Sequence, residues 1–407
     1  MDTRAKLDLL NQAADVEVAA AFEAPAERGR RDLYPCLTHV SAPGGRRVPI
    51  LKVLQTNACR NDCRYCAFRA GRDVRRERLT PDELAASVDL MHRAGLVEGI
   101  FLSSGVVDTI RSMDDMLATA DLLRGKYAFH GYLHLKLLPG SEPAQVARAV
   151  ELADRVSTNL EAPGPERLAL LAPQKAMADL VSPLAAAAQA IRARQAAQAA
   201  QGGEGGPRFP GRPSGYGGGA RLGLSTQFVV GPAGESDREL LGTAAWLYRE
   251  IRLARAYYSA FQPIPDTPLA DAAPTGERRQ HRLYQADWLL RYYHFGVEEL
   301  PFDGDGRLSV QTDPKAAWAR QHPERFPVEV NRAPVEELLR VPGIGPVSAQ
   351  AIVRARRQAS LRTLGDLRRL GARADQAAPY VLLAGRRPIS LAAERRGAWQ
   401  LPLDLTG

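Results

Sequence analysis

The feature of this sequence that most constrains its fold is a repeated pattern in which a short apolar segment is followed by a longer helical stretch. The six candidate strands are ILKVL (50 to 54), GIFL (99 to 102), YLHLKLL (132 to 138), VSTNL (156 to 160), LSTQFVV (224 to 230) and ARAYYSAF (254 to 261). Parallel strands need a crossover connection, which is usually a right-handed helical one. We therefore expect an α/β fold in which six parallel strands curve into a partial (β/α)6 barrel, with functional residues at the carboxyl ends of the strands.

Two helix starts are visible between these strands. Thr80 precedes Pro81 and is followed three residues later by Glu83, which is the pattern of a capping box with proline in the first turn. Ser112 with Asp115 predicts the next start in a weaker form.

Three of the four cysteines, Cys59, Cys63 and Cys66, fall within eight residues directly after the first candidate strand. A four-iron cluster normally takes four cysteines, so three would leave one iron open to a small molecule. Zinc is the alternative, because Cys36 and His39 would complete a four-ligand set. Structural zinc sites usually use two separated cysteine pairs, whereas this chain has one dense group, so the spacing favours an iron–sulfur cluster. The role of Cys36 stays open between a buried residue, a redox partner and a hydrogen donor to a substrate radical.

The spacing C-x3-C-x-aromatic-C, with Tyr65 in the aromatic position, resembles the signature of the radical S-adenosylmethionine (SAM) superfamily. The resemblance implies an enzyme with a TIM-like partial barrel, a 4Fe-4S cluster held by the three cysteines, and SAM chelated to the fourth iron. It also implies an electron donor and reductive cleavage of SAM to a 5′-deoxyadenosyl radical that removes hydrogen from a substrate.

The same resemblance assigns SAM contacts to residues at the ends of the candidate strands. Serines stand at Ser103 and Ser104, where the superfamily usually has a glycine and an acid, so only a backbone role carries over to that segment. His134 and Lys136 lie two apart on one strand and therefore face the same side, where they would meet the SAM carboxylate, the substrate or a rim carboxylate. The expected cofactor-binding residues are Tyr65, Ser103, Ser104, Gly105, Asn159, Glu161, Val229, Val230 and Gly231.

The composition is that of an ordinary soluble globular protein, with 407 residues, 45% hydrophobic residues and 25% charged residues. No apolar run approaches the roughly 20 residues of a membrane span, and the N-terminus has no signal-peptide core. Clustered cysteines argue against a secreted disulfide scaffold. We expect a cytoplasmic protein with no membrane association.

The net charge of +8 is concentrated near the C-terminus. Residues 331–396 contain thirteen Arg, no Lys and five acidic residues, a surplus as large as that of the whole chain. A basic module of this kind attracts polyanions such as nucleic acid, although a solvated surface would have the same composition.

Within this basic region, NRAPVEELLRVPGIGPVSAQAIVRARRQ predicts a helix from Asn331 through Leu339, a tight glycine hairpin and a second helix near Pro346. The pattern resembles the helix-hairpin-helix motif of DNA-binding proteins that do not read sequence. Residues 361–383 resemble a degenerate second copy that supports the first. A hairpin that serves packing or protein contact is the alternative. The expected DNA-binding residues are Pro342, Gly343, Ile344, Gly345, Ser348, Arg354, Arg356 and Arg357.

These features together resemble the DNA modification/repair family of radical SAM proteins. The expected domains are an N-terminal helical extension (1–45), the barrel (46–300) with a flexible insertion (185–220), a linker (301–327), the helix-hairpin-helix domain (328–390) and a tail (391–407). The insertion and the N-terminal stretch after Ala13 depart from the family pattern.

The resemblance does not supply a substrate, but the basic hairpin favours DNA. The resemblance implies a uracil-DNA glycosylase-like protein as a partner. The tail from Gln400 to Leu405 matches the Q-L-x-L-x-L pattern of peptides that bind the bacterial sliding clamp, and it would equally suit a tail that docks on its own protein. RNA modification, or a non-catalytic scaffold with a structural cluster, is the alternative function. Five arginines after the cysteines would line the barrel mouth or form a solvated face: Arg69, Arg72, Arg75, Arg76 and Arg78.

Overall fold

The structure is a computed structural model that describes residues 2–16, 37–41, 47–200 and 223–388. The chain divides into two compact units, Met1–Gln280 and His281–Gly407. Expectations about Cys36, the Gly/Pro-rich part of the insertion and the Gln400–Leu405 tail lie outside the described residues.

The first unit is built on one seven-stranded sheet whose strands are neighbours in chain order. The strands are β1 (Leu37–Ser41), β2 (Arg47–Leu54), β3 (Gly99–Ser103), β4 (Tyr132–Lys136), β5 (Arg155–Glu161), β6 (Leu224–Val230) and β7 (Arg255–Ala260). The strands β2 to β7 are parallel and form a curled half-barrel, while β1 pairs antiparallel with β2. The expected partial (β/α)6 barrel is confirmed.

Helices cover the outer face of this sheet. They are α1 (Thr3–Val16), α2 (Pro81–Arg93), α3 (Thr109–Arg124), α4 (Pro143–Leu152), α5 (Pro165–Leu171), α6 (Met177–Ala200) and α7 (Asp237–Trp246). A further helix, α8 (Glu277–Tyr292), runs across the division between the units. Every residue of β3 and β6 is buried, because such strands are covered on one face by helices and on the other by the barrel interior. The Ala/Gln-rich start of the insertion continues α6 as far as Ala200.

The helix starts follow the local sequence in one case and depart from it in another. The Thr80 hydroxyl accepts the Glu83 N–H at 3.2 Å, and the Glu83 carboxylate accepts the Thr80 N–H at 2.8 Å, so the predicted capping box of α2 is confirmed. The start predicted at Ser112 is wrong. Helix α3 begins at Thr109 because Asp108 accepts the N–H of Arg111, and Ser112 is buried within the helix.

The second unit is a small helical domain. Its further elements are α9 (Pro314–Gln321), β8 (Val328–Glu329), α10 (Val335–Arg340), α11 (Pro346–Ala355), α12 (Leu364–Arg369), α13 (Ala374–Ala377) and β9 (Val381–Leu382), with β8 and β9 paired in parallel. Leu338, Ile344, Ile352, Leu364 and Leu367 belong to one buried core. The expected second copy therefore shares the core of the first.

Asn331 does not begin the first hairpin helix, as the sequence predicted. Its side-chain N–H donates to the Leu361 backbone carbonyl at 2.9 Å, and its side-chain oxygen Oδ1 accepts the Leu361 backbone N–H at 2.8 Å. The helix begins four residues later, at Val335. Asn331 therefore links the segment before α10 to the segment before α12 instead of capping a helix.

Candidate functional site

The three clustered cysteines lie on the loop that follows β2 and line one cavity. Its volume is about 840 Å³ when the space open to solvent is included. The loops after β3 and β4, the end of β5 and Lys175 complete its wall. The cavity thus occupies the carboxyl ends of the parallel strands, where barrels of this kind hold their active sites.

One arginine fixes the shape of the cysteine loop. The Arg76 guanidinium donates to four backbone carbonyls, at distances between 2.7 and 3.1 Å, which belong to Asn57, Phe68, Arg69 and Arg72. Because the planar guanidinium offers five donors in a fixed geometry, a single side chain can satisfy several carbonyls of an irregular loop. The loop is therefore held from within.

A glycine allows the loop after β3 to approach the cysteine loop. The Gly105 N–H donates to the Thr56 carbonyl at 2.7 Å. A Cβ at this position would lie 2.2 Å from the Ala58 carbonyl oxygen, so no other residue fits without moving one of the two loops. The next residue, Val106, directs its N–H at the Cys59 sulfur at 3.5 Å.

A buried ion pair lies beside the cysteines. The Lys175 ammonium contacts the Glu161 carboxylate at 2.9 Å, and its positive charge acts on the Cys63 thiol. Burial lowers the pKa of Lys175, but the negative charges of Cys63 and Glu161 outweigh it and hold that pKa above its ordinary value. Burial raises the pKa of the Cys63 thiol, against the opposing effect of Lys175.

Glu161 ends β5 in an unusual backbone conformation. Its φ is +65°, and the register between β5 and β6 shifts between Asn159 and Glu161. A non-glycine residue with positive φ stores strain, which the surrounding contacts must offset. Burial and the negative charge of the Glu161 carboxylate raise the pKa of Tyr65 well above its ordinary value, so its hydroxyl stays protonated. The aromatic residue of the cysteine motif and Glu161 both line the cavity.

The donor set fits a cluster better than a single metal ion. Among the described residues, no three His, Cys, Asp or Glu side chains converge closely enough to hold one ion. Three sulfurs spaced around a cavity suit a polynuclear cluster, because each cysteine binds a different iron. No other described Cys or His lines the cavity, so a fourth iron would stay open to a small molecule.

Six of the residues predicted to bind SAM line this cavity, namely Tyr65, Ser103, Ser104, Gly105, Asn159 and Glu161. Val229, Val230 and Gly231 are not part of the described wall. Gly231 has a φ of +118° and packs against the Thr275 hydroxyl, while its N–H donates to Glu235 at 2.5 Å. Lys175 was missed by sequence reasoning, because nothing local in the turn between α5 and α6 distinguishes it from a surface lysine.

His134 and Lys136, the predicted pair on β4, lie at different depths in the barrel. Lys136 lines the cysteine cavity, whereas His134 lies deeper, with its Nε2 atom 2.8 Å from the Ser157 hydroxyl. Burial, together with the positive charges of Arg155 and Lys136, lowers the pKa of His134 well below its ordinary value. Its ring is therefore neutral at physiological pH.

The five arginines after the cysteines do not act as one set. Arg76 holds the loop, and Arg72 donates to the Ala67 carbonyl at 2.9 Å. Arg75 and Arg78 are largely exposed and pair with Glu77 and Asp115. At least two of the five therefore have a structural role inside the loop.

The glycine hairpin of the second unit is shaped by close backbone contacts. Gly343 has a φ of +84°, and a Cβ there would lie 2.5 Å from the Arg373 carbonyl oxygen. The Gly345 N–H donates to the Ser348 hydroxyl at 2.8 Å. Since Ser348 takes this N–H, phosphate binding would fall to the N–H groups of Val347 and Ser348 in the first turn of α11, which have no partner within the helix.

A buried lysine supports this hairpin from behind. The Lys315 ammonium donates to the Ile344 carbonyl at 2.5 Å and lies 4.5 Å from the centre of the Tyr293 ring. Burial lowers the pKa of Lys315 to about 7. This contact is between residues far apart in the sequence and was not predicted.

The three arginines predicted to contact phosphate differ in their surroundings. Arg356 donates to the carbonyls of Val330 and Ala333, at 2.9 and 2.6 Å, and so ties α11 to the segment that precedes α10. Arg354 and Arg357 are exposed.

Comparison with known families agrees with both sites. Residues 53–193, about a third of the chain, match the radical SAM superfamily, and residues 325–381 match the helix-hairpin-helix motif. The first match contains all three cysteines, Lys136, Glu161 and Lys175. The chain therefore contains a radical SAM domain. Enzymes of this superfamily use a 4Fe-4S cluster and SAM, which are the cofactors expected from the sequence.

Several solved structures are similar to this chain at low sequence identity. An FeFe-hydrogenase maturase from Carboxydothermus hydrogenoformans is 13% identical, with a TM-score of 0.46, 70% of this chain covered and 63% of the other. Methylornithine synthase is 13% identical, with a TM-score of 0.42 and coverage of 69% and 75%. A radical SAM methyltransferase from Sphaerobacter thermophilus is 14% identical, with a TM-score of 0.41 and coverage of 70% and 85%.

This chain spans 62% and 63% of the first two solved structures that it matches, both of which are hydrogenase maturases. No curated protein matches the chain significantly. Within the described part of the chain, no helix is both long enough and apolar enough to cross a membrane.

Proposed function

We propose that this radical SAM enzyme acts on DNA, in its modification or repair, and belongs to the DNA modification/repair family that its sequence resembles. The observation that carries the proposal is the presence, in one chain, of the three-cysteine cavity and of a helix-hairpin-helix unit with exposed arginines at and just after the end of its second helix. Helix-hairpin-helix units contact the DNA backbone without reading bases. The hairpin would therefore bind DNA of any sequence.

In the catalytic unit, Cys59, Cys63 and Cys66 would hold the cluster. Ser103, Ser104, Gly105, Asn159 and Glu161 would hold SAM together with Tyr65, which lines the same cavity, and Lys175 would fix the Glu161 carboxylate. When bound, the cluster and SAM supply a 5′-deoxyadenosyl radical. The buried walls of the cavity would exclude water from the reaction, and Val229, Val230 and Gly231 are proposed as a more distant adenine contact.

In the second unit, the first turn of α11 would bind a phosphate through its backbone N–H groups. Arg354 near the end of this helix and Arg357, two residues beyond its last residue, are both exposed and would contact adjacent phosphates. A target base within a duplex would have to leave the stack to reach a barrel cavity. The partners that we propose are an electron donor and a uracil-DNA glycosylase-like protein. We also propose that the Gln400–Leu405 tail binds the bacterial sliding clamp, and that the protein is cytoplasmic.

The test is anaerobic reconstitution of the full chain with iron and sulfide, followed by SAM and dithionite, with and without duplex DNA. We expect 5′-deoxyadenosine to form and its rate to rise with DNA. A four-iron cluster without 5′-deoxyadenosine would favour the non-catalytic scaffold. Structured RNA serves as the comparison, and an equal or larger stimulation by RNA would overturn the assignment to DNA.

A further inference from the structure

Two large aromatic side chains are exposed on one face of α8. Trp288 is 49% exposed and Tyr292, one helical turn later, is 43% exposed. Their ring centroids are 4.5 Å apart. Exposed tryptophan is uncommon, and an adjacent exposed pair on the same helix face is a feature that the proposed chemistry does not use.

An arginine holds these rings in place. The Arg291 guanidinium lies 5.6 Å from the centre of the Trp288 ring and 4.8 Å from that of the Tyr292 ring. It donates to the fully buried Asp287 carboxylate at 2.8 Å and to the Tyr292 hydroxyl at 3.0 Å. Because Asp287 fixes the guanidinium and the guanidinium contacts both rings, the pair is ordered before any ligand arrives, which lowers the entropic cost of binding.

The chemistry of this surface matches an unpaired nucleobase. Nucleobases stack on flat aromatic rings whatever their sequence, and arginine adds a cation–π contribution to such stacking. The surface lies on the same polypeptide unit as the arginine-rich region, which attracts a polyanion.

The surface is also continuous with the hairpin through α8. The next residue, Tyr293, packs against the core of the helix-hairpin-helix unit, and its hydroxyl lies 3.2 Å from the position of a Cβ on Gly345. Tyr292 is adjacent to Tyr293 in the chain, and Trp288 precedes Tyr293 by five residues, which is roughly 8 Å along the helix axis and about 140° around it. A DNA backbone held at the hairpin would therefore have its next nucleotides within reach of the rings.

We propose that Trp288 and Tyr292 form a stacking platform for unpaired bases of the DNA that the hairpin holds. This inference rests on the proposed action on DNA and extends it. The preferred substrate would be DNA in which a duplex adjoins single-stranded nucleotides, because the hairpin grips backbone and the platform takes bases that have left the stack.

The test compares the affinities of the full-length protein for three fluorescently labelled DNAs: a blunt duplex, the same duplex with an oligothymidine overhang, and oligothymidine alone. We expect the overhang to tighten binding. Trp288→Ala should lose roughly five- to a hundredfold in affinity for the overhang DNA and for oligothymidine, since one base stack is removed, and should bind the blunt duplex as the wild type does. Trp288→Phe should retain part of the effect. Trp246→Ala removes a tryptophan of similar exposure from α7 and should change nothing.

Tyr292→Ala provides the same test if Trp288→Ala does not fold, as judged by its melting temperature. The platform is overturned if these variants bind overhang DNA and oligothymidine as the wild type does, or if their affinity for blunt duplex falls equally. The proposed function fails separately. A wild type that binds oligothymidine through Trp288 but ignores duplex would keep the platform and remove the hairpin's role.

Discussion

Single residues around the cysteines show how the barrel prepares a site for a cluster. Two of the sulfurs accept backbone N–H groups, Cys59 from Val106 and Cys66 from Phe68, and the positive charge of Lys175 acts on Cys63. Hydrogen bonds to cluster sulfurs and nearby charge set the reduction potential of iron–sulfur clusters. Lys175 is the strongest of these groups, because it is both charged and buried.

Replacing Lys175 should make the cluster harder to reduce. Reduction adds negative charge, which the ammonium stabilises, so Lys175→Met should lower the midpoint potential by on the order of 50 mV. A charged hydrogen bond contributes about 1.5–3 kcal/mol, and roughly 59 mV corresponds to about 1.4 kcal/mol for one electron.

The measurement for Lys175 is a redox titration of the reconstituted protein followed by electron paramagnetic resonance. Lys175→Arg keeps the charge and should stay closer to the wild type. Lys126→Met, which changes an exposed lysine paired with Asp82, is the control. A Lys175→Met protein with the wild-type potential would show that the ammonium does not act on the cluster.

At the scale of elements, both candidate sites depend on irregular backbone that is held by side chains or by close packing. The cysteine loop has little regular secondary structure, and Arg76 replaces the missing backbone pairing with four hydrogen bonds. The hairpin between α10 and α11 is fixed by Gly343 packing on the backbone of the second copy of the motif, where the Arg373 N–H donates to the Gly343 carbonyl at 2.8 Å.

Removal of the Arg76 side chain should impair the cluster site. Arg76→Ala deletes four hydrogen bonds, each worth about 0.5–1.5 kcal/mol, and leaves their carbonyls without that partner. We expect the iron and sulfide content after reconstitution to fall well below that of the wild type. Arg75→Ala, at the adjacent and mostly exposed position, should incorporate the full amount. Equal iron content in both variants would contradict the role of Arg76.

The hairpin glycine should tolerate substitution less than a glycine with the same backbone angle elsewhere. Gly343 and Gly371 have φ values of +84° and +81°, but a Cβ on Gly371 meets nothing within 4 Å. Gly371→Ala should cost about 1–2 kcal/mol, the penalty of the left-handed conformation. Gly343→Ala should cost more, because the Arg373 backbone must also move.

Hydrogen exchange of peptides that cover α10 and α11, across a urea series, measures both glycine variants. Duplex affinity should fall in Gly343→Ala and persist in Gly371→Ala. If both variants lose the same stability, the contact with Arg373 does not constrain the hairpin.

At the scale of the whole molecule, the chain joins a unit that contains the cysteine cavity to a unit that contains the arginine-rich region. The net positive charge of residues 331–396 equals that of the full chain. Because binding of polyanions by arginine releases counterions, affinity for DNA should depend steeply on salt. The division of labour predicts that the two properties can be altered separately.

A double variant, Arg354→Ala with Arg357→Ala, should weaken binding of all duplex sequences alike. The slope of log affinity against log salt should become shallower by about 1.8, the value for two lost phosphate contacts. Iron content should equal that of the wild type. Arg249→Ala, which removes an exposed arginine from the first unit, is the control and should leave the slope unchanged. An unchanged slope in the double variant would place DNA elsewhere.

Much of the fold could be predicted from sequence because its signals are local. The six parallel strands were placed to within about three residues at either end, since each is a short apolar run between helical stretches. The start of α3 was misplaced because Asp108 competed successfully with Ser112 as a cap, and Asn331 was misassigned because its partner, Leu361, is thirty residues away.

The sequence by itself determined the candidate cluster ligands, the half-barrel and the glycine hairpin, because each is encoded by the spacing of neighbouring residues. Only the tertiary structure decided what surrounds them: Lys175 against Cys63, Arg76 across the cysteine loop, Lys315 behind the hairpin, and the ring pair of α8. These arrangements depend on contacts between residues whose side chains converge only after the strands and helices have packed. Hydrogen bonds and charges between such residues leave no periodic or local pattern in the sequence.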